Sequence, residues 1–216
     1  MLTLYLIRHG ETDFNVQGVV QGGGVDSDLN ETGHKQGRAF FEAYKHIPFA
    51  KIYCSRLKRT QQTLRDFESL GYVFSQHAAI NEFGWGDLEG RAASAETRQI
   101  FREITDAWTR GELDKGLPNG ETPVQVWARC EPFFRELFVK HKEGHILVCT
   151  HGRTLRIILS ELLGYGMKDM HIFTHDNTGV NILEVPEEGE IVTKKLNDLR
   201  HLEIAELVAT QVDYRK

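Results

Sequence analysis

Short apolar runs alternate with amphipathic stretches along most of this chain, and that alternation limits the fold more than any other feature. The runs at 2–7, 51–54, 72–75 and 145–149 have strand length. Helical patterns fall between and after them, at 31–46, 57–70, 93–110, from Thr122 to about 141, and at 153–163. Their ends are punctuated. Gly71 and Gly164 stand at two C-termini, while Thr122, Pro123 and Gln125 open one helix as N-cap, first-turn proline and capping-box partner. The stretches 8–24, 80–91 and 111–120 are polar and contain glycines, so they read as loops. Runs at 180–185 and 190–196 flank a turn as a hairpin, and the tail at 201–210 is weakly helical. The pattern predicts an α/β fold: a three-layer α/β/α sandwich on a mainly parallel central sheet.

Composition narrows the function. The 216 residues are expected to form one domain, 1–216, and 40% apolar with 26% charged residues suits a globule. Lys plus Arg number 26 against 31 Asp plus Glu, a net charge of −5 without a basic block, so no nucleic acid is expected as a partner. No apolar stretch approaches the ~18 residues of a membrane span, and the opening residues lack a positive leader, so neither a membrane nor a signal peptide is expected. Cys54, Cys130 and Cys149 are odd in number and far apart. They read as buried thiols of a reducing compartment, which makes a cytoplasmic location the expectation. There is no His-Glu-x-x-His, Cys-x-x-Cys, calcium loop or Gly-x-x-x-x-Gly-Lys-Ser/Thr, so no metal and no cofactor are expected.

In a parallel α/β sheet, ligands bind beyond the carboxyl ends of the strands. The first strand is followed by Arg8-His9-Gly10-Glu11-Thr12, the second by Ser55-Arg56-Leu57-Lys58-Arg59-Thr60, and the strand at 145–149 by Thr150-His151-Gly152-Arg153. Three strand ends thus deliver two histidines and several arginines to one edge, and each histidine precedes a glycine that lets the backbone turn tightly. Glu82 lies in a glycine-rich loop between them. Guanidinium forks match phosphate oxygens, and helix starts after Ser55 and His151 add N–H donors. An imidazole among cations stays neutral and nucleophilic near pH 7. A glutamate beside bound phosphoryl oxygens can hold a proton for a leaving oxygen.

These residues carry a resemblance. Arg8-His9-Gly10-Glu11-Thr12 with Asn15, Gln21-Gly22 with Asp26 and Leu29, Ser55-x-Leu57-x-Arg59-Thr60-x-x-Thr63, Asn81-Glu82 with Gly86 and Glu89-Gly90, Gly120-Glu121-Thr122, and Val148-x-x-His151-Gly152 follow in order over 8–152. Together they resemble the histidine phosphatase superfamily, its phosphoglycerate mutase-like phosphatase branch. The resemblance implies a metal-independent phosphomonoesterase acting on small phosphorylated metabolites. His9 would be the nucleophile that becomes phosphohistidine, Arg8, Arg59 and His151 the phosphoryl ligands, and Glu82 the proton donor. Asn15, Gln21, Gly22, Thr150 and Gly152 would line the substrate site. It also implies an insertion at about 92–122 that caps the sheet edge, and it leaves a homodimer open.

Blander roles compete at several positions. Arg59 has Arg56 and Lys58 beside it as solvated neighbours, and Glu82 competes with Asp87 and Glu89 for the acid. Glu11 is expected to be structural. His34, His46, His77 and His141 are expected at the surface and His145 in a structural place, while the roles of His175 and His201 stay open. Two other activities also stay open: a cofactor-dependent phosphoglycerate mutase, and a non-catalytic phosphate binder. The mutases open with Arg-His-Gly-Gln-Ser and carry a longer, proline-rich insertion. Glu11-Thr12 and the short 91–119 segment lean toward hydrolysis.

Overall fold

The computed structural model describes residues 1–207. Its strands are β1 (Leu2–Arg8), β2 (Phe49–Cys54), β3 (Ser75–Gln76), β4 (Gly144–Thr150), β5 (Val180–Val185) and β6 (Val192–Asp198). Its helices are α1 (Asp13–Gln17), α2 (Glu31–Tyr44), α3 (Lys58–Leu64), α4 (Ala95–Thr109), α5 (Pro123–Lys140), α6 (Gly152–Leu162) and α7 (Arg200–Ile204). The sheet order is β3-β2-β4-β1-β5-β6. The β3-β2-β4-β1 part is parallel, and β5 and β6 extend it antiparallel as the expected hairpin.

Side chains alternate across a strand, and here both faces are buried. Leu2, Leu4 and Leu6 of β1 and Ile146 and Val148 of β4 enter one apolar cluster with Phe101, Phe134 and Ile158 from α4, α5 and α6. Tyr5, Ile7, Leu147 and Cys149 enter a second with Phe40 and Phe41 from α2 and Leu64 from α3. Helices therefore cover both sides of the sheet, and the central strands read as unbroken apolar runs for that reason. The expected cap region at about 92–122 holds α4, whose Phe101, Ile104 and Trp108 share the first cluster with Phe83 and Trp85. Cys54, Cys130 and Cys149 are free and buried. Among the described residues, no helix is long and apolar enough to cross a membrane.

Several boundaries differ from the expectation. The 8–24 stretch contains α1, whose capping box pairs Thr12 with Asn15. Asparagine stands there in place of the usual Glu or Gln, which hides the signal. The strand expected at 72–75 forms only at Ser75–Gln76, because Tyr72 and Phe74 pack against the second cluster instead. The helix expected at 57–70 is α-helical over α3 and tightens to a 3-10 turn over Arg65–Leu70, which sets Phe67 in the core, and Gly71 closes it at φ 84°. The last strand runs over Val192–Asp198, and its register against β5 shifts between Val180 and Leu183. Within the expected tail helix, α7 covers the start, and 208–210 lie outside the described residues.

Candidate active site

Parallel pairing brings the strand ends level. Arg8 stands opposite Thr150, and the His9 N–H donates to the Thr150 carbonyl at 3.0 Å. On the other side of β4, Cys54 stands opposite Cys149, and the Ser55 N–H donates to the Cys149 carbonyl at 3.3 Å. Three segments remote in sequence thus set His9, Ser55 and His151 side by side. The His9 and His151 ring centroids are 5.2 Å apart. Gly10 is required for this turn, since a Cβ there would lie 2.6 Å from the Gly33 carbonyl oxygen.

The partners of each ring fix its proton. His9 Nδ1 is 2.7 Å from the Gly10 carbonyl, which can only accept, so Nδ1 carries the hydrogen and Nε2 the lone pair. Burial first, then Arg59 and Arg8, hold His9 well below the usual imidazole pKa, so it is neutral at pH 7. His151 is the opposite tautomer. Arg59 Nε donates to its Nδ1 at 3.2 Å, leaving Nε2–H to donate to Ser55 Oγ at 2.8 Å. Burial, Arg59 and His9 lower its pKa in turn. Arg59 is fully buried, whereas Arg56 and Lys58 are exposed. Its Nη1 and Nη2 donate to the Val25 and Gly22 carbonyls at 2.6 and 3.4 Å. Burial lowers its pKa to about 10, which leaves it charged at neutral pH. Arg8 is buried, and its Nη1 donates to the His175 carbonyl at 2.9 Å.

Glu82 occupies the N-terminus of α6. Its Oε1 accepts from Phe83 N at 2.8 Å, Thr154 N at 3.0 Å and Thr154 Oγ1 at 3.1 Å, and its Oε2 accepts from Arg153 N at 3.2 Å. The N-cap residue of α6, His151, makes no side-chain cap bond, so the glutamate satisfies N–H groups that a cap would otherwise take. Its negative charge acts on Arg59. Of the rival acids, Glu89 also acts electrostatically on Arg59, and burial raises its pKa. Asp87 is exposed and accepts from Asn119, and Glu89 accepts from Gly24 N and Trp85 N, each at 2.9 Å.

The remaining expected residues act largely through the scaffold. Asn15 Oδ1 accepts from Thr12 N and Asn177 Nδ2. Gln21 bridges Thr12 Oγ1 and Ser27 Oγ. Gly22 lends its carbonyl to Arg59, and a Cβ on it would come 1.8 Å from Glu89 Oε1. The Thr150 hydroxyl donates to the Ile80 carbonyl at 2.8 Å, which anchors the segment that carries Glu82. Gly152 lets α6 approach the His175 ring, which a Cβ would meet at 3.0 Å. Glu11 accepts from Asn30, the N-cap of α2.

Four residues of the site region are added by the structure. Ser55 orients His151, and Asn177 is fully buried and donates to the His9 carbonyl at 2.9 Å. Arg8, Arg156 and Arg153 bear on the half-buried His175 and lower its pKa after desolvation of the ring itself. Arg153 directly follows the His151-Gly152 pair, and Asn177 sits in the turn beside His175, so both lay within reach of the motif. His201 stays behind the site, its Nε2 3.0 Å from Thr178 Oγ1. His141 contacts the Tyr53 hydroxyl, and His34, His46 and His77 are exposed. Among the described residues, no group of three or more His, Cys, Asp or Glu is placed to hold a metal ion.

Converging positive charge, an unprotonated imidazole nitrogen and a carboxylate together suit phosphoryl transfer. Residues 4–199 match the histidine phosphatase superfamily, branch 1; the chain belongs to it and is a phosphatase of that group. Phosphoserine phosphatase 1 of Hydrogenobacter thermophilus is 27% identical over 203 residues, covering 94% of this chain and 95% of its own. A 2,3-bisphosphoglycerate-dependent phosphoglycerate mutase of Gloeobacter violaceus is 34% identical over 170 residues, covering 75% of this chain and 76% of its own. The crystal structure of the α-ribazole phosphatase from Shigella flexneri matches with a TM-score of 0.78 at 26% identity, over 91% of this chain and 96% of that one.

Proposed function

We propose that the protein hydrolyses small phosphomonoesters without a metal, through a phosphohistidine on His9. The observation that carries this reading is the placement of His9: its Nδ1 lies 2.7 Å from the Gly10 carbonyl, which directs the hydrogen there and leaves Nε2 unprotonated, and its ring is 5.2 Å from that of His151. The Nε2 lone pair attacks phosphorus, the P–O bond to the alcohol breaks, and Glu82 gives its proton to the leaving oxygen. Oε2 is suited to hold that proton, since it accepts one bond of 3.2 Å while Oε1 accepts two backbone N–H bonds and shares the Thr154 hydroxyl with the Asn81 carbonyl. In the second half, Glu82 takes a proton from water, water oxygen attacks phosphorus, and the N–P electron pair returns to Nε2. Arg8, Arg59 and His151 stabilise the phosphoryl oxygens in both steps. For that contact, the His151 Nε2–H turns from Ser55 to the substrate.

The test is phosphate release from a panel that includes phosphoserine, α-ribazole phosphate and 3-phosphoglycerate, combined with quenching of an acid-labile phosphoenzyme. His9→Ala is expected to abolish the phosphoenzyme and lower turnover at least ~10³-fold while the fold persists. Near-normal turnover in that variant rejects the nucleophile. Similarity to phosphoglycerate mutases favours one second reading, transfer to another hydroxyl of a phosphoglycerate. Added 2,3-bisphosphoglycerate is expected to produce no isomerisation of 3-phosphoglycerate, and isomerisation would establish the mutase. Chelators are expected to leave the rate unchanged; a loss restored by added metal would reject the metal-free route.

A further inference from the structure

Arg153 connects the Glu82 carboxylate to α4 by a route additional to the Phe83 ring, which itself packs on Trp85 and Trp108. Its main-chain N–H donates to Glu82 Oε2 at 3.2 Å. Its guanidinium carbon lies 5.5 Å from the ring centroids of Trp85, Phe101 and Trp108. Phe101 and Trp108 belong to α4, and Trp85 lies on the loop that carries Glu82. A guanidinium among aromatic rings is held by their quadrupoles through its charge, and its flat, weakly hydrated shape fits between them better than a compact ammonium does. A side chain so gripped also fixes the backbone of the first turn of α6, and with it the direction of the Arg153 N–H.

We propose that Arg153 is a positioning residue that couples α4 to the Glu82 carboxylate. The proposal rests on the reading of Glu82 as proton donor. The aromatic grip on the guanidinium keeps the Arg153 N–H aimed at Oε2, the oxygen assigned the transferred proton. Loosening the grip lets Oε2 wander from the leaving oxygen without emptying the phosphoryl cradle. The effect therefore falls on esters whose alcohol needs a proton.

The experiment measures kcat and KM for wild type, Arg153→Met, Glu82→Gln and the double variant. The substrates are p-nitrophenyl phosphate, whose leaving group needs little help, and glycerol 2-phosphate, whose alkoxide needs a proton. Arg153→Met is expected to lower kcat on glycerol 2-phosphate about tenfold more than on the aryl ester. In the Glu82→Gln background it is expected to add no further loss. Its tryptophan emission is expected to shift, because the cation beside Trp85 and Trp108 is gone. Equal kcat losses on both esters, a change confined to KM, or a full additional loss in the Gln background would overturn the coupling. If Glu82→Gln itself affects both esters alike, the proton-donor reading fails and takes this proposal with it. If Glu82→Gln separates the esters and Arg153→Met does not, only the coupling fails. A wild type inactive on both esters rejects the phosphatase reading underneath. Should the Met variant not fold, Arg153→Lys carries the same test: it keeps a cation without the planar face, and the same separation is expected at smaller size.

Discussion

At His9 the Nδ1 atom meets a carbonyl, and at His151 it meets a guanidinium. A carbonyl accepts and a guanidinium donates, so one ring exposes a lone pair at Nε2 and the other an N–H. Two identical side chains thereby take opposite hydrogen-bonding roles at Nε2, one an acceptor and the other a donor, without any difference in net charge. Ser55 completes the second assignment by accepting from His151 Nε2. Ser55→Ala would leave that buried N–H without its resting acceptor, at a cost of ~1–3 kcal/mol. The expected result is a fall in kcat/KM of about tenfold on p-nitrophenyl phosphate with the phosphoenzyme still formed. Unchanged kinetics would show that the guanidinium of Arg59 alone orients His151.

The elements that carry these residues meet at very close range. A Cβ on Gly33 of α2 would lie 2.1 Å from the Glu11 carbonyl oxygen, a backbone atom that no rotamer change can clear. Gly33→Ala is therefore expected to push α2 away from the segment after β1, costing ~1–3 kcal/mol and lowering Tm by roughly 3–10 °C in a thermal melt. An unaltered Tm would mean that the segment shifts freely. This contact had no sequence signal, because it depends on two backbones crossing. What the sequence does display are the features with a local cause. The buried parallel strands show as apolar runs, the Thr122-Pro123-Gln125 start shows as a cap, and the two His-Gly pairs mark the strand ends. Residues whose role arises from distant partners stayed hidden. Asn177 reaches His9 across 168 positions, and Ser55 reaches His151 across 96. The two-residue β3 was misplaced for a similar reason: Tyr72 and Phe74 are apolar because a cluster receives them, not because they pair in a strand.

Across the whole molecule, folding buries His9, His151 and His201 and half-buries His175, and desolvation is the chief cause that lowers the pKa of each. For His201 the value falls from 6.5 to about 4. Between those values the unfolded chain binds the proton and the folded chain does not, so stability rises with pH. It is complete above pH 6.5 and is lost as pH falls toward 4, with a contribution from His201 of order ~3 kcal/mol. Urea midpoints at pH 7 and pH 5 are expected to differ less in His201→Asn than in wild type; an identical difference would show that His201 is not a source of the acid sensitivity. One turn of helix concentrates a different vulnerability. The start of α6 presents His151, lies against His175 at Gly152, and steadies Glu82 through the next two N–H groups. In the proposed mechanism, charge clamp and proton carrier thus hang from a single hinge pin, and any drift there detunes both together.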